Sequence, residues 1–211
     1  MSVLVVGAAP LEGCDGFYRE LLTGADRVVA ADAGGEWCAS LGRVPALVVG
    51  DFDSARPGAI DRLRALGSEV LGVPADKDET DLELAVGAAL ERFGGPVTVT
   101  CAFTLRMDHT LAAFGALLAA GPGAQACEPG WRAWVTCPGA PLSLSLGGGR
   151  RFSLVSPCGA RGVSVSGARW VLEDADLSAL SGRGISNVAG PDRVEVSCRE
   201  GAVLVMLSDQ A

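Results

Sequence analysis

Ala46-Leu47-Val48-Val49-Gly50-Asp51-Phe52-Asp53-Ser54 joins a short apolar run to two carboxylates one residue apart. The run shows no polar alternation, so it reads as a β-strand buried on both faces, as in a covered parallel sheet. The carboxylates fall where that strand runs out. They repel each other, and neither can be buried without a partner. Two readings fit. Gly, Asp and Ser are ordinary turn residues, and Asp readily bonds its own backbone. Hard oxygen ligands at close spacing also suit Mg²⁺. The stretch alone leaves both open.

The same strand-then-helix rhythm recurs on either side of this stretch. Apolar strands are expected over residues 3–6, 27–31, 46–49, 69–73 and 96–101. Helices are expected over 17–22, 36–41, 60–66, 78–93 and 107–120, the fourth with a broad apolar face from Leu82 to Phe93. Alternation with short links predicts an α/β fold with a mostly parallel sheet covered on both faces. Ligands of such sheets bind beyond the carboxyl ends of the strands. Asp32, the Asp51–Asp53 pair, Asp78 with Asp81, and Arg106 with Asp108 each follow a different strand. All four groups should therefore share one sheet edge.

Past about residue 130 the rhythm changes. Short β-rich segments at 131–137, 142–146, 151–156, 163–165, 193–197 and 202–207 are separated by Gly and Pro, with no long helix between them. The expectation is an N-terminal α/β sandwich domain over residues 1–130 followed by a C-terminal all-β sandwich over 131–211.

Composition narrows the function. Of 211 residues, 49% are hydrophobic and 20% charged, enough apolar mass for a proper core. Net charge is −8 with no run of Lys or Arg, which argues against nucleic-acid and anionic-membrane partners. An acidic protein that handles an anionic substrate needs local cations, such as a metal. Seven scattered cysteines, never in C-x-x-C spacing, read as reduced thiols rather than as a zinc site or disulfide framework. No apolar stretch approaches a membrane span, and residues 2–6 read as a strand with no basic leader. A soluble, cytoplasmic protein is expected.

The remaining motifs admit two readings each. Asp32-Ala33-Gly34-Gly35 can bring backbone N–H groups near a phosphate or simply open a helix. Thr80-x-x-Glu83 is a capping box, yet Lys77-Asp78-Glu79-Thr80-Asp81 carries more acids than capping needs. Asp108 can cap a helix or hold Arg106, whose guanidinium suits a phosphate. His109 is the sole histidine, which excludes a His-rich metal centre. Trp170 can be core, or a flat face for an aromatic cation, and Ser186 and Asn187 can hydrogen-bond a ligand or form a turn. Walker-type and Rossmann glycine patterns are both missing.

Taken in order, Gly7-Ala8-Ala9-Pro10, Ala31-Asp32-Ala33-Gly34, Leu41-Gly42-Arg43-Val44-Pro45, Gly50 to Ser54, Lys77 to Asp81 and Arg106-Met107-Asp108-His109 resemble the thiamine pyrophosphokinase family. Gly167-Ala168-Arg169-Trp170 and Gly184-Ile185-Ser186-Asn187 fit that family's thiamine-binding domain. The resemblance implies a homodimer with sites across its interface, which moves the diphosphoryl unit of ATP to the thiamine hydroxyl and releases AMP. It implies that Asp51, Asp53 and Asp81 hold Mg²⁺ and that Asp32 and Asp78 complete the acidic cluster. Lys77, Thr80 and Arg106 would meet phosphates, Asp108 would support Arg106, and Trp170 would stack on thiamine with Ser186 and Asn187 nearby. Phe52, between the acids, would point into the core. Thr104-Leu105 departs from the pattern, where the family usually has two glycines before the arginine. Ala33 also replaces a commoner Gly or Ser. The competing readings are a related diphosphokinase acting on a hydroxymethyl pterin, and a non-catalytic thiamine or nucleotide binder.

Overall fold

The computed structural model describes residues 1–53 and 55–209; Ser54, which closes the first motif, lies outside the described residues. The chain divides into two compact units, Met1–Ala120 and Gly121–Ala211.

The first unit alternates strictly: β1 (Val3–Val6), α1 (Asp15–Gly24), β2 (Arg27–Ala31), α2 (Gly34–Ser40), β3 (Leu47–Gly50), α3 (Ala59–Ala65), β4 (Glu69–Gly72), α4 (Asp81–Phe93), β5 (Val97–Thr100) and α5 (Met107–Ala119). The five strands are all parallel, in the order β4-β3-β2-β1-β5. β1 and β3 are buried along their whole length, as uninterrupted apolar runs require when both faces are covered. Successive residues of a strand face opposite ways. Leu4, Val6, Val28, Ala30 and Val48 share a core with Tyr18, Leu22, Cys38 and Leu63 from α1, α2 and α3. Helix α4 packs across β1, β2 and β3 and against α5.

The strand order fixes where a ligand can sit. From β1 the chain steps outward through β2, β3 and β4, then returns to lay β5 on the other side of β1. The crossovers around β1 and β5 therefore leave in opposite directions, and a crevice opens between their carboxyl ends. Backbone bonds tie that edge together. Gly7 N–H donates to the Thr100 carbonyl at 2.8 Å, Ala9 N–H to Cys101 at 2.9 Å, and Asp32 N–H to Val49 at 2.8 Å.

The second unit holds β6 (Gln125–Glu128), β7 (Trp131–Thr136), β8 (Leu142–Leu144), β9 (Arg151–Val155), β10 (Ala160–Ser166), β11 (Leu172–Leu177), β12 (Asn187–Val188), β13 (Val194–Ser197), β14 (Glu200–Gly201) and β15 (Val203–Ser208). One antiparallel sheet runs β6-β7-β15-β9-β12. The other runs β11-β10-β13-β8, with β14 on β10. Phe152, Leu154 and Val205 of the first sheet share one core with Val163, Val165, Val194 and Val196 of the second, which makes a sandwich. All seven cysteines are free thiols, and burial pushes that of Cys38 up to about 12.

Candidate active site

The crevice between β1 and β5 is a cleft of about 340 Å³. Small residues floor it: Gly7, Ala8 and Ala9 after β1, Ala102 after β5, and Ala112 and Ala113 on α5. The glycines here are not spare. A side chain at Gly7 would collide with the Cys101 carbonyl, and one at Gly34 with the Gly7 carbonyl. Gly34 thus serves close packing of strand ends and begins α2, where the sequence left both a phosphate turn and a helix start open.

Polar groups gather on one side. Lys77 Nζ lies 3.2 Å from Asp51 Oδ2 and 3.2 Å from Asp81 Oδ1, with the lysine side chain only 12% exposed. Burial disfavours the Lys77 charge, but the Asp81 and Asp51 carboxylates outweigh it and raise the lysine's pKa. Asp51 Oδ1 accepts the Asp53 N–H at 3.1 Å, so the first motif is indeed an Asx-type turn. That N–H and the Lys77 ammonium hold the Asp51 carboxyl below its usual range. Asp32 behaves oppositely. Burial raises its carboxyl, and the charges of Asp81, Asp51 and Asp53 add to the rise. Oδ1 of Asp32 is buried without a hydrogen-bond donor, and Oδ1 of Asp81 has only the Lys77 ion pair, off the hydrogen-bonding angle.

Three residues at this edge take a left-handed backbone without being glycine: Asp32 (φ 45°), Phe52 (φ 60°) and Cys101 (φ 56°). Each such conformation costs about 1–2 kcal/mol. Strain of this kind persists where surrounding structure enforces it, and it concentrates at working sites. Phe52 packs on the unit's core, as its place between the acids suggests.

Thr80, the N-cap of α4, builds a full capping box. Its hydroxyl accepts the Glu83 N–H at 3.2 Å and donates to Glu83 Oε2 at 2.8 Å, and its own N–H reaches the same oxygen at 2.8 Å. It lines the cleft, but its hydroxyl is committed to the cap. Asp53 and Asp78 are solvent-exposed and do not line the cleft. Arg106 and Asp108 also lie outside the lining. Their pairing is bidentate, Nη2 to Oδ2 at 2.7 Å and Nε to Oδ1 at 3.3 Å. That pairing, helped by the His109 N–H, takes the Asp108 carboxyl down to about 2. Arg106 itself occupies the N-cap position of α5. His109, Thr104 and Cys101 do line the cleft; the sequence singled out Thr104 as a departure able to reshape the nucleotide pocket, and placed neither His109 nor Cys101 there. His109 was legible only as part of a helix start, and a strand-end cysteine carries no signal of its own.

Metal fit follows from the donors. Among the described residues no three His, Cys, Asp or Glu side chains already form a chelate, since Lys77 stands between Asp51 and Asp81. The oxygens are nevertheless hard carboxylates, and Asp32 Oδ1 is buried with neither a hydrogen-bond donor nor an ion pair among the described residues. Such donors suit a hard divalent cation, which typically takes one or two carboxylates together with substrate phosphates and water.

In the second unit Trp170 is 52% exposed and is not a core residue. The Arg169 guanidinium lies 4.9 Å from its ring centroid, a cation–π contact. Asn187 is buried and grips the Trp170 backbone from both sides. Its Oδ1 accepts the Trp170 N–H at 3.1 Å, and its Nδ2 donates to the Trp170 carbonyl at 2.7 Å. Ser186 has a left-handed backbone (φ 61°), and its N–H donates to Ser153 Oγ at 3.1 Å. Val171 and Ile185 are half exposed as well.

The family model described as "Thiamin pyrophosphokinase, catalytic domain" matches residues 18–126, and that described as "Thiamin pyrophosphokinase, vitamin B1 binding domain" matches residues 142–203. Comparison with curated protein sequences gives no match. Among solved structures, a thiamin pyrophosphokinase family protein from Enterococcus faecalis is similar at 20% identity and a TM-score of 0.80, covering 100% of both chains. The thiamin pyrophosphokinase from Geobacillus thermodenitrificans is similar at 24% identity and 0.79, covering 100% of this chain and 99% of its own. Yeast thiamin pyrophosphokinase is similar at 12% and 0.75, covering 98% and 86%. At these identities the likeness to solved structures is one of fold. The two family models, matched in order over most of the sequence, carry more: the chain belongs to the thiamin pyrophosphokinase family of transferases.

Proposed function

We propose that the chain transfers the diphosphoryl group of Mg·ATP to the hydroxyl of thiamine and releases AMP, with the nucleotide in the cleft of the first unit. The observation that carries this reading is the gathering of Asp32, Asp81 and Lys77 on the lining of the crevice between β1 and β5, with Asp51, outside the lining, paired to Lys77. Asp51, Asp53 and Asp81 would hold Mg²⁺, and Asp32 and Asp78 would add to the acidic field. Bound there, the ion would offset charge on the phosphate oxygens and make the β-phosphorus a better electrophile. Lys77 would bring a point charge to the phosphates, and Thr80 would shape the wall beside them. Arg106, held in plane by Asp108, would offer a fork of donors to the phosphoryl oxygens. Positioning and electrostatics supply most of the catalysis in phosphoryl transfer, so no covalent nucleophile is required.

Trp170 would stack on the cationic, aromatic thiamine, with Ser186 beside it and Asn187 fixing the Trp170 backbone. The exposed indole favours thiamine over a pterin. The family resemblance further supports a homodimer with active sites completed across the subunit interface, and a cytoplasmic location. The deciding assay measures AMP formed from Mg·ATP with thiamine, with hydroxymethyl-dihydropterin as the control acceptor. AMP release with thiamine alone is expected. Turnover of the pterin alone would overturn the substrate, and thiamine binding without AMP would overturn catalysis.

A further inference from the structure

We propose that Thr104 is a positioning residue for Arg106, and that this chain uses its hydroxyl to order a loop that glycines would leave loose. The inference rests on the reading of Arg106 as a phosphate contact. Thr104 stands where the family that the sequence resembles usually has glycine, so its hydroxyl departs from that pattern.

The geometry is a relay of hydroxyls. Thr110, in the first turn of α5, accepts the Thr104 N–H at 2.9 Å and donates to the Thr104 carbonyl at 2.9 Å. Thr104 Oγ1 in turn accepts the Arg106 N–H at 2.9 Å and lies 3.3 Å from the Arg106 carbonyl oxygen. That carbonyl also receives the Thr110 N–H at 3.0 Å, which closes the loop onto the helix. Thr110 therefore holds both backbone groups of Thr104, and Thr104 reaches both backbone groups of Arg106. Asp108 then fixes the guanidinium.

Packing does not account for this order. Leu105 is fully exposed, and Arg106 and Asp108 are each about two-thirds exposed. Hydrogen bonds are what hold the segment, and the Thr104 hydroxyl supplies those that reach Arg106. Glycine at position 104 would keep the Thr110 bonds and lose the Arg106 ones, while adding backbone freedom that binding must then remove. A guanidinium displaced by about 1 Å from the phosphate it serves can lose on the order of 10²-fold in rate.

The test is a kinetic double-mutant cycle on the full chain with Mg·ATP and thiamine. Thr104→Val keeps the shape and removes the hydroxyl; about a tenfold fall in kcat is expected, with KM for thiamine unchanged. Thr104→Ala should repeat the fall, and Thr104→Ser should restore most of the rate. Combined with Arg106→Ala, Thr104→Val should cost nothing further, because the two act as one unit. A silent Thr104→Val beside a crippled Arg106→Ala would overturn the brace alone, as would fully additive losses. A fully active Arg106→Ala would overturn the phosphate role of the arginine and the brace with it.

Discussion

Burial and three neighbouring carboxylates hold the Asp32 carboxyl above its usual range. A raised folded-state pKa means the folded protein binds that proton more tightly than the unfolded chain does. Stability from this group is complete below the unfolded value of about 3.9 and is lost as pH rises through the folded one. At pH 7 the charged Asp32 is thus a net burden on the empty enzyme. Asp32→Asn removes the charge and tolerates the left-handed backbone. Urea melts should show this variant more stable than the parent at pH 7, with the gap closing as pH falls toward 3.9, while kcat drops about 10²-fold. A constant gap across pH would refute the account. A second contrast tests the thiamine seat. Trp170→Ala should raise KM for thiamine and leave the melting temperature nearly unchanged, since the indole is half exposed. Asn187→Ala should raise KM and also lower stability, because the part-buried hydrogen bonds to both backbone groups of Trp170 are lost, at about 0.5–1.5 kcal/mol each. Equal melting curves for the two variants would refute the clamp. The carboxylates and Trp170 were legible because chemistry rests on their residue types. The clamp and the left-handed Asp32 and Phe52 were not, since both depend on where distant strands put the backbone.

At the scale of elements, α4 carries both capping and chemistry at its first turn. The capping box was visible as Thr80-x-x-Glu83 and is formed, with the Thr80 hydroxyl engaged twice. Thr80→Ala should therefore cost about 1 kcal/mol of stability, or about 2–4 °C in melting temperature for a chain of this size. If the hydroxyl serves only the cap, KM for ATP stays put. A raised KM with no thermal loss would instead return the hydroxyl to the phosphates. The parallel strands β1, β2 and β3 were easy to read because burial on both faces leaves an unbroken apolar run. β11 was missed because half of Leu172-Glu173-Asp174-Ala175-Asp176-Leu177 is acidic, as an edge strand with a solvated face can be. β12, two residues long, gives no pattern to find, so Ser186 and Asn187 were open to a ligand-binding reading and a turn, but not to a strand.

On the scale of the whole molecule, the proposed function sends nucleotide and vitamin to different units of the chain. The cleft chemistry lies at the strand ends and on α4 and α5, within Met1–Ala120, and the exposed indole lies within Gly121–Ala211. A ligand stabilises the state that binds it by mass action, about 2.7 kcal/mol at a hundred times its Kd. Local opening is suppressed first where the ligand sits. Hydrogen exchange on the intact protein should therefore separate the two. Mg·ATP should slow exchange over residues 7–9, 32–35, 77–82 and 101–110, and thiamine over 168–172 and 185–188. Mg²⁺ withheld, ATP alone should protect less, because Asp32, Asp51 and Asp81 then face the phosphates with Lys77 alone to offset them. Protection of the second unit by Mg·ATP with none at the strand ends of the first would remove the nucleotide from the cleft. Equal protection with and without Mg²⁺ would remove the metal from the acids.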